Sequence, residues 1–248
     1  YWMTEPGEDS ACYWSENHQL LFAVSEYLAG QMWPHERFFN DNALGLEHMN
    51  RGKKRIGYWM EHVFRHGYTE LNSSNYYLFD LGPASNFIQF ASDDDAIMKK
   101  RMTMCMDLLL YDIVSNMYDY SFTAPTMRAY TDNVVGGKGD KVRQLTDYIF
   151  KLNDNHKTST HHMLINFISM MNAKDSKAKP LRLYEIPKVL INIGKDRGTR
   201  IIKSSTGLDV SELPEKGLVG HNDNQIMVQL GMESFTNPEV IYNTVTYL

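Results

Sequence analysis

Helical spacing of apolar residues is the feature that most restricts the fold of this chain. Ser92 and three aspartates open its clearest stretch, and they favour a helix N-terminus because their side chains can accept hydrogen bonds from unpaired amides. The stretch runs from about Asp94 to Tyr118, and its apolar residues recur every three or four positions. They are Ile97, Met102, Cys105, Met106, Leu109, Ile113 and Met117. The pattern predicts one long helix with a buried side.

Similar spacing predicts helices over most of the remaining chain. Gly82 and Pro83 are expected to kink or split one of them, because proline removes a backbone donor and clashes with the preceding turn. The chain is therefore expected to be all-α and to form a single helical domain, 1–248, in which 173–215 are an irregular, loop-rich segment. The other predicted helices follow Ser15 up to Pro34 and cover about 43–66, 75–91, 140–152, 160–171 and 222–234.

Long helices joined by modest loops form antiparallel hairpins, which assemble into bundles, solenoids or (α/α) toroids. If consecutive helices are antiparallel, three distant segments meet at one end of the fold: 15–18, 62–77 and 126–130. A cleft lined by acid–base groups and aromatics would suit a carbohydrate ligand. The groups of this kind in the three segments are Asn17, His18, His62, His66, Glu70, Asn75, Tyr76, Tyr77, Arg128 and Tyr130.

Simpler interpretations account for part of this set. Ser15 can cap the first helix and Glu16 can favour its positive end, so Asn17 and His18 are the stronger chemical candidates. The spacing of His62 and His66 would allow metal chelation, but the HExxH pattern and a third ligand are missing. His161 and His162 are neighbours and are expected to point to different helix faces. We therefore assign no metal ligand and expect no cofactor.

The net charge of -5 supplies no basic stripe, so nucleic acid is not an expected partner. No apolar run is long enough to span a bilayer. Aromatic residues make up 12% of the chain, and such side chains either pack the core or offer stacking surfaces to ligands such as sugars.

Several motifs, taken in order, resemble a largely uncharacterised family of bacterial proteins. The motifs are WSENHQLLFAVSEYLAGQMWP, ALGLEHMNRGKKRIGYWM, FRHGYTELNSSNYY, DLLLYDIVSNMY and QIMVQLGMESFTNPEVI. Members of that family usually read SENHQI, GFSEWxSNxYY and WGMxAFTxPEV. The family is in turn distantly similar to the (α/α)-toroid polysaccharide lyases. The resemblance implies a toroid, and because the chain is short for six hairpins, an incomplete or truncated one.

The resemblance also implies roles for particular residues. In the lyases an Asn or Arg neutralises a uronate carboxylate, a His or Tyr removes the adjacent proton, and a Tyr protonates the leaving oxygen. Here the neutraliser would be Asn17 or Asn75, the base His18, and the acid or base Tyr76 or Tyr77. Arg128 would anchor the substrate, with Tyr130 and Glu70 beside it. Leu71 replaces a tryptophan of the family pattern, and the resemblance favours an extracytoplasmic location.

The expected partner is thus a polysaccharide or oligosaccharide, cleaved by β-elimination. Two alternatives stay open at this point. One is a glycoside hydrolase that uses a carboxylate pair such as Glu16 and Glu70. The other is a non-catalytic helical module that binds glycan or protein through its aromatic residues.

Overall fold

The computed structural model describes residues 14–127, 129, 131, 141–152, 161–204, 207–232 and 236–247. In these residues it has nine α-helices, two short 3-10 helices and one two-stranded antiparallel sheet, which confirms the predicted all-α class. The toroidal arrangement stays a prediction. None of the described helices is long and apolar enough to cross a membrane.

The elements are numbered in chain order. The 3-10 helices are Asp93–Asp95 and Val210–Glu212, and the strands are β1 (Met117–Tyr118) and β2 (Ser121–Phe122). The helices are α1 (Glu16–Met32), α2 (Gly45–His66), α3 (Tyr77–Phe90), α4 (Ala96–Ser115), α5 (Lys141–Phe150), α6 (His162–Met171), α7 (Lys188–Lys195), α8 (Asp223–Gly231) and α9 (Pro238–Tyr247).

The helix predicted over 94–118 ends at Ser115, and Met117–Tyr118 form β1 instead. Helix α3 also differs from its prediction, because it continues through Pro83 without a split. This helix is buried on nearly all sides, and it packs against α4 and α6. A side chain at Gly82 would collide with Met163 of α6, so the glycine beside the proline allows the two helices to approach closely. Tertiary packing thus holds together a helix that the isolated sequence would interrupt.

The chain divides into two compact units. Unit 1 contains residues 1–69 and 205–248, and unit 2 is the continuous segment 70–204. Each unit is described by itself below.

In unit 1, α1 and α2 pack closely because glycines lie where their backbones meet. A Cβ atom added at Gly52 would lie 2.7 Å from both the carbonyl oxygen of Ala23 and the amide nitrogen of Tyr27. A Cβ atom at Gly30 would overlap the carbonyl oxygen of Gly45. The two helices can therefore approach this closely only because these positions carry no side chain.

Helix α8 completes the core of unit 1 by packing against α1 and α2. The Gln19 side chain donates to the carbonyl oxygens of Trp14, at 2.7 Å, and Met227, at 2.8 Å. Helix α9 packs on α8, where the amide of Asn243 donates to Gln229 at 3.0 Å. These buried amide groups fix the position of the C-terminal helices because leaving one unpaired would cost free energy.

A charged network holds the opposite end of α1 to α2. Glu26 accepts hydrogen bonds from Arg51 Nε at 2.6 Å and from Arg55 at 3.0 Å. The buried ring of His48 places Nε2 3.0 Å from Asp41 and stacks on Phe38 at a centroid distance of 4.4 Å. The network therefore joins the loop between α1 and α2 to both helices.

Unit 2 is organised around α3 and α4. Helix α3 packs against α6 and α4, and α4 packs against α7. The segment after α4 forms a hairpin in which Met117 pairs with Phe122 and Tyr118 with Ser121. The predicted apolar residues of α4 are buried from Met102 to Ile113, whereas Ile97 at the start of the helix is 75% exposed.

The glycine contact leads to a stability prediction. Substituting Gly52→Ala should lower the free energy of unfolding by about 1–3 kcal/mol, because backbone atoms of α1 cannot yield to the added methyl group. Gly57 also lies within α2, but a Cβ atom there meets no atom within 4 Å. Gly57→Ala should therefore raise stability by about 0.5–1 kcal/mol through helix propensity. Urea unfolding measures the free energy of unfolding of both variants. Equal changes in the two would contradict the close contact between Gly52 and the backbone of α1.

Candidate functional site

The first turn of α1 is arranged differently from a simple helix cap. Ser15 occupies the N-cap position, but its side chain caps no amide of the helix. Its hydroxyl instead lies 2.7 Å from Nδ1 of His18, whose ring packs on Phe22. This hydroxyl–imidazole pair orients His18, which is only half-buried.

The neighbouring Glu16 and Asn17 are fully buried. Glu16 accepts a hydrogen bond from the backbone amide of Thr69 at 2.6 Å, and its backbone carbonyl accepts one from the indole of Trp59 at 3.1 Å. Glu16 therefore holds α1 to the end of α2 in addition to lying at the positive end of its own helix.

A small cavity in unit 1 lies beside these groups. It is lined by residues that include Glu16, Trp59, His62, Thr69 and Met227, and its volume of about 10 Å³ is close to that of one water probe. Nε2 of His62 lies 3.3 Å from the hydroxyl of Thr69, and its Nδ1 has no hydrogen-bond partner among the described residues. Burial, and to a smaller extent His66, lower the pKa of His62 to about 4.

In unit 2 the predicted site residues lie on the segment that leads into α3. Glu70 and Asn75 are buried, and so is Tyr77, whose hydroxyl accepts a hydrogen bond from the amide of Asn72 at 2.7 Å. Tyr76 is only partly buried. Of the two tyrosines, Tyr76 therefore has the ring that a ligand can reach.

The loop after the hairpin lies beside this segment. The amide of Ser74 donates to the hydroxyl of Thr126 at 3.1 Å, which confirms the predicted proximity of the two segments. The expected anchors Arg128 and Tyr130 lie outside the described residues.

Tyr76 belongs to a group of rings that we call the ring cluster, formed by Tyr76, Phe79, His161 and His162 together with the ammonium group of Lys141. Phe79 lies at centroid distances of 5.7 Å from Tyr76, 5.1 Å from His161 and 5.9 Å from His162. Nζ of Lys141 is 4.6 Å from the centre of the Phe79 ring and 5.8 Å from that of Tyr76. Unit 2 therefore has a cation positioned over aromatic rings that are partly exposed.

The two histidines of this cluster correct the expectation that they point in different directions. His161 precedes α6 as its N-cap, with extended backbone angles, so the helical rotation between neighbours does not apply to it. The two imidazoles stack at 4.3 Å with an interplanar angle of 28°. The sequence feature that would have indicated this arrangement is a histidine, His161, at the N-cap position of the helix.

Hydrogen bonding and charge distinguish the two imidazoles. Nδ1 of His161 accepts from the amide of Met163 at 3.3 Å, so its other nitrogen carries the proton in the neutral ring. Burial first, then His162 and Lys141, lower the pKa of His161 to about 4. His162 is exposed and makes no hydrogen bond within the described part of the chain. Of the two imidazoles, that of His162 is therefore the one that a ligand can reach.

The predicted site residues therefore fall into two groups. Asn17 and His18 belong to unit 1, whereas Glu70, Asn75, Tyr76 and Tyr77 belong to unit 2. The common cleft expected from the sequence stays a prediction. Within unit 2, the structure brings Tyr76 together with Lys141, Phe79 and the two histidines, none of which the sequence had indicated as site residues.

The pKa of His62 leads to a pH prediction. Because its folded-state value of about 4 lies below the ordinary value of 6.5, the unfolded chain binds a proton between these values that the folded chain does not. The free energy of unfolding should therefore fall as the pH is lowered from about 6.5 to 4. His62→Gln should remove about 1–3 kcal/mol of this dependence.

Urea unfolding at pH 7 and pH 4.5 tests this expectation. His35→Gln, which changes an exposed histidine, is the matched control and should leave the pH dependence unchanged. An equal pH dependence in the His62 variant and the unsubstituted protein would exclude a buried neutral imidazole.

Comparison of the chain with protein family models, curated proteins and solved structures returned no match, so its functional assignment depends on the chemistry of these sites.

Proposed function

We propose that this chain is a carbohydrate-active protein that binds an acidic glycan at the ring cluster and cleaves it by β-elimination. The observation that carries the proposal is the ammonium group of Lys141 placed over the partly exposed rings of Phe79 and Tyr76. The proposal agrees with the resemblance to toroidal lyases.

The ring cluster offers the two kinds of contact that an acidic sugar needs. Aromatic faces present flat apolar area to the C–H groups of a pyranose ring. An ammonium group at the edge of that area can pair with a uronate carboxylate, and such charge-assisted hydrogen bonds are stronger than neutral ones. A neutral sugar would gain only the first kind of contact.

The same residues can carry out the reaction. An imidazole, His162, takes the proton on the carbon next to the carboxylate, and the electron pair left behind forms the new C=C bond. The C–O bond to the leaving sugar breaks, and the leaving oxygen takes the hydroxyl proton of Tyr76. Lys141 stabilises the charge that develops on the carboxylate. One proton then passes from His162 to the tyrosinate through solvent, which restores both groups.

Elimination is favoured over hydrolysis by the position of the carboxylates in unit 2. Hydrolysis needs two carboxyl groups that flank an open cleft, about 5–9.5 Å apart. Glu16 and Glu70, the pair expected for hydrolysis, are only 2% and 4% exposed, and Asp80 of unit 2 is only 1% exposed. The ring cluster itself contains no carboxylate. Neutral imidazole and phenol chemistry therefore fits this surface better.

The binding step gives the first test. Lys141→Gln should weaken binding of an acidic glycan such as polygalacturonate by roughly 5–30-fold, because it removes a charged partner worth about 1–2 kcal/mol. Lys100→Gln, an exposed lysine on α4, is the matched control and should change nothing. Calorimetric titration with acidic and neutral glycans measures the affinities of both variants. Equal affinity for the two glycan classes would contradict the role of Lys141.

The chemical step gives the second test. Tyr76→Phe should lower turnover to unsaturated product by about 10²–10⁴-fold, because the leaving oxygen loses its proton donor. Tyr77→Phe is the control: it removes the acceptor of the Asn72 amide and should cost about 1 kcal/mol of stability while turnover is kept. Ultraviolet absorbance of the product, measured on a panel of acidic glycans, follows the reaction.

Variants of the two candidate bases complete the experiment. His162→Ala should abolish product formation, while His18→Ala tests the base expected from the family resemblance. Full activity in Tyr76→Phe and in both histidine variants would reject the lyase mechanism. Saturable binding that survives all three, with no product on any glycan, would instead identify a non-catalytic glycan-binding module.

A further inference from the structure

A larger cleft lies in unit 2, between the segment that follows α4 and the loop that follows α7. Its volume is about 460 Å³, within the range of roughly 300–1,000 Å³ that small-molecule sites occupy. None of its lining residues, all in the described part of the chain, carries a carboxylate. The lining residues that matter here are Asn116, Tyr118, Thr123, Arg197, Thr199 and Arg200.

Arg200 forms the fixed part of this cleft. Its guanidinium donates to the carbonyl oxygens of Val114, at 3.3 Å, and Ser115, at 3.2 Å, which lie at the end of α4. It also donates to the carbonyl oxygen of Ile193 at 3.0 Å and to that of Asp196, near the end of α7. Because it pairs with the negative ends of two helices, Arg200 is held in place by the backbone, and the carboxylate of Asp196 lies 4.0 Å from its guanidinium.

Arg197 is held much less firmly. Its side chain is 58% exposed and forms an ion pair with Asp119, whose side chain is 56% exposed. Its guanidinium carbon lies 5.8 Å from the centre of the Tyr120 ring. Exposed ion pairs contribute little free energy, so another anion can replace Asp119 at small cost.

The turn that carries Asp119 and Tyr120 is strained. Both residues have positive φ, 47° and 63°, in the two-residue connection between β1 and β2. Hairpin turns of this kind favour asparagine and glycine, and tyrosine at positive φ is uncommon. Strained backbone persists where the surroundings hold it and is often found at ligand sites. This turn lies at the edge of the cleft, beside the guanidinium of Arg197.

We propose that this cleft binds a small polar molecule that carries an oxyanion, either a carboxylate or a phosphate, and that Arg197 exchanges Asp119 for that oxyanion. A planar guanidinium can bind such a group through two parallel hydrogen bonds. The hydroxyl of Thr199 is exposed and makes no hydrogen bond within the described residues, so it adds a donor beside Arg197. This site is separate from the ring cluster and does not depend on the proposed lyase function.

Two substitutions with opposite expected effects test the exchange. Arg197→Gln should weaken binding of the oxyanion at least tenfold. Asp119→Asn should strengthen it about two- to fivefold, because the competing carboxylate is removed from an exposed pair. Asparagine also tolerates positive φ, so this variant should keep the turn. A gain in affinity cannot result from misfolding, and it therefore keeps the test decisive if Arg197→Gln folds poorly.

The experiment is calorimetric titration of the full chain with inorganic phosphate, glucuronate and glucose, in which every protein carries Lys141→Gln so that uronate binding at the ring cluster does not contribute to the heat. Glucose is the neutral match of glucuronate and should not bind at the cleft, while tighter binding of phosphate or of glucuronate decides which oxyanion the cleft prefers. Arg65→Gln is the control, because Arg65 is likewise exposed and paired with a carboxylate, that of Glu61 in unit 1. The affinities of Arg65→Gln for the three ligands should equal those of the protein without that substitution. Unchanged binding in Arg197→Gln, or weaker binding in Asp119→Asn, would overturn the proposal.

Discussion

Unit 1 depends on the absence of side chains where α1 and α2 meet. Gly52 and Gly30 allow the two backbones to approach, and the remaining contacts follow from that separation. Trp59 reaches the carbonyl oxygen of Glu16 only because the helices are this close, and the carboxylate of Glu16 can then accept from the amide of Thr69. The close approach that the glycines allow therefore underlies the polar contacts that join the first turn of α1 to α2 and to Thr69.

The sequence predicts the helices well because helix formation follows from local spacing. The long helix α4 illustrates this: its spacing predicts the side that is buried from Met102 to Ile113, and the predicted Ser92 cap and the aspartates form a 3-10 helix directly before it. The error at Pro83 has the opposite origin, since the free energy that keeps α3 continuous comes from its neighbours. Helix α7, within the segment expected to be irregular, is short, and its surroundings decide its conformation.

The candidate site could be predicted only in part, because it depends on residues that are distant in sequence. The proximity of segments 62–77 and 126–130 was expected from helix order, and the hydrogen bond from Ser74 to Thr126 confirms it. The contacts of Lys141 and of the two histidines with Phe79 were not, since no spacing rule relates residue 79 to residues 141, 161 and 162. The network of Glu26 and Arg51 was missed for the same reason, since Glu26 lies on α1, Arg51 on α2 and their partner Asp41 in the loop between them.

The path of the chain through the two units has a consequence for biosynthesis. Unit 2 is a single continuous segment, whereas unit 1 is assembled from residues on both sides of it. A ribosome releases the chain from its N-terminus, so α1 and α2 emerge long before α8, whose Met227 accepts the hydrogen bond from Gln19. During that interval the apolar side of α1 and α2 lacks its cover and is exposed to association with other chains. Gly30 and Gly52 make their close contacts within this N-terminal part of the chain. The hairpin of α1 and α2 can therefore form before α8 has been synthesised.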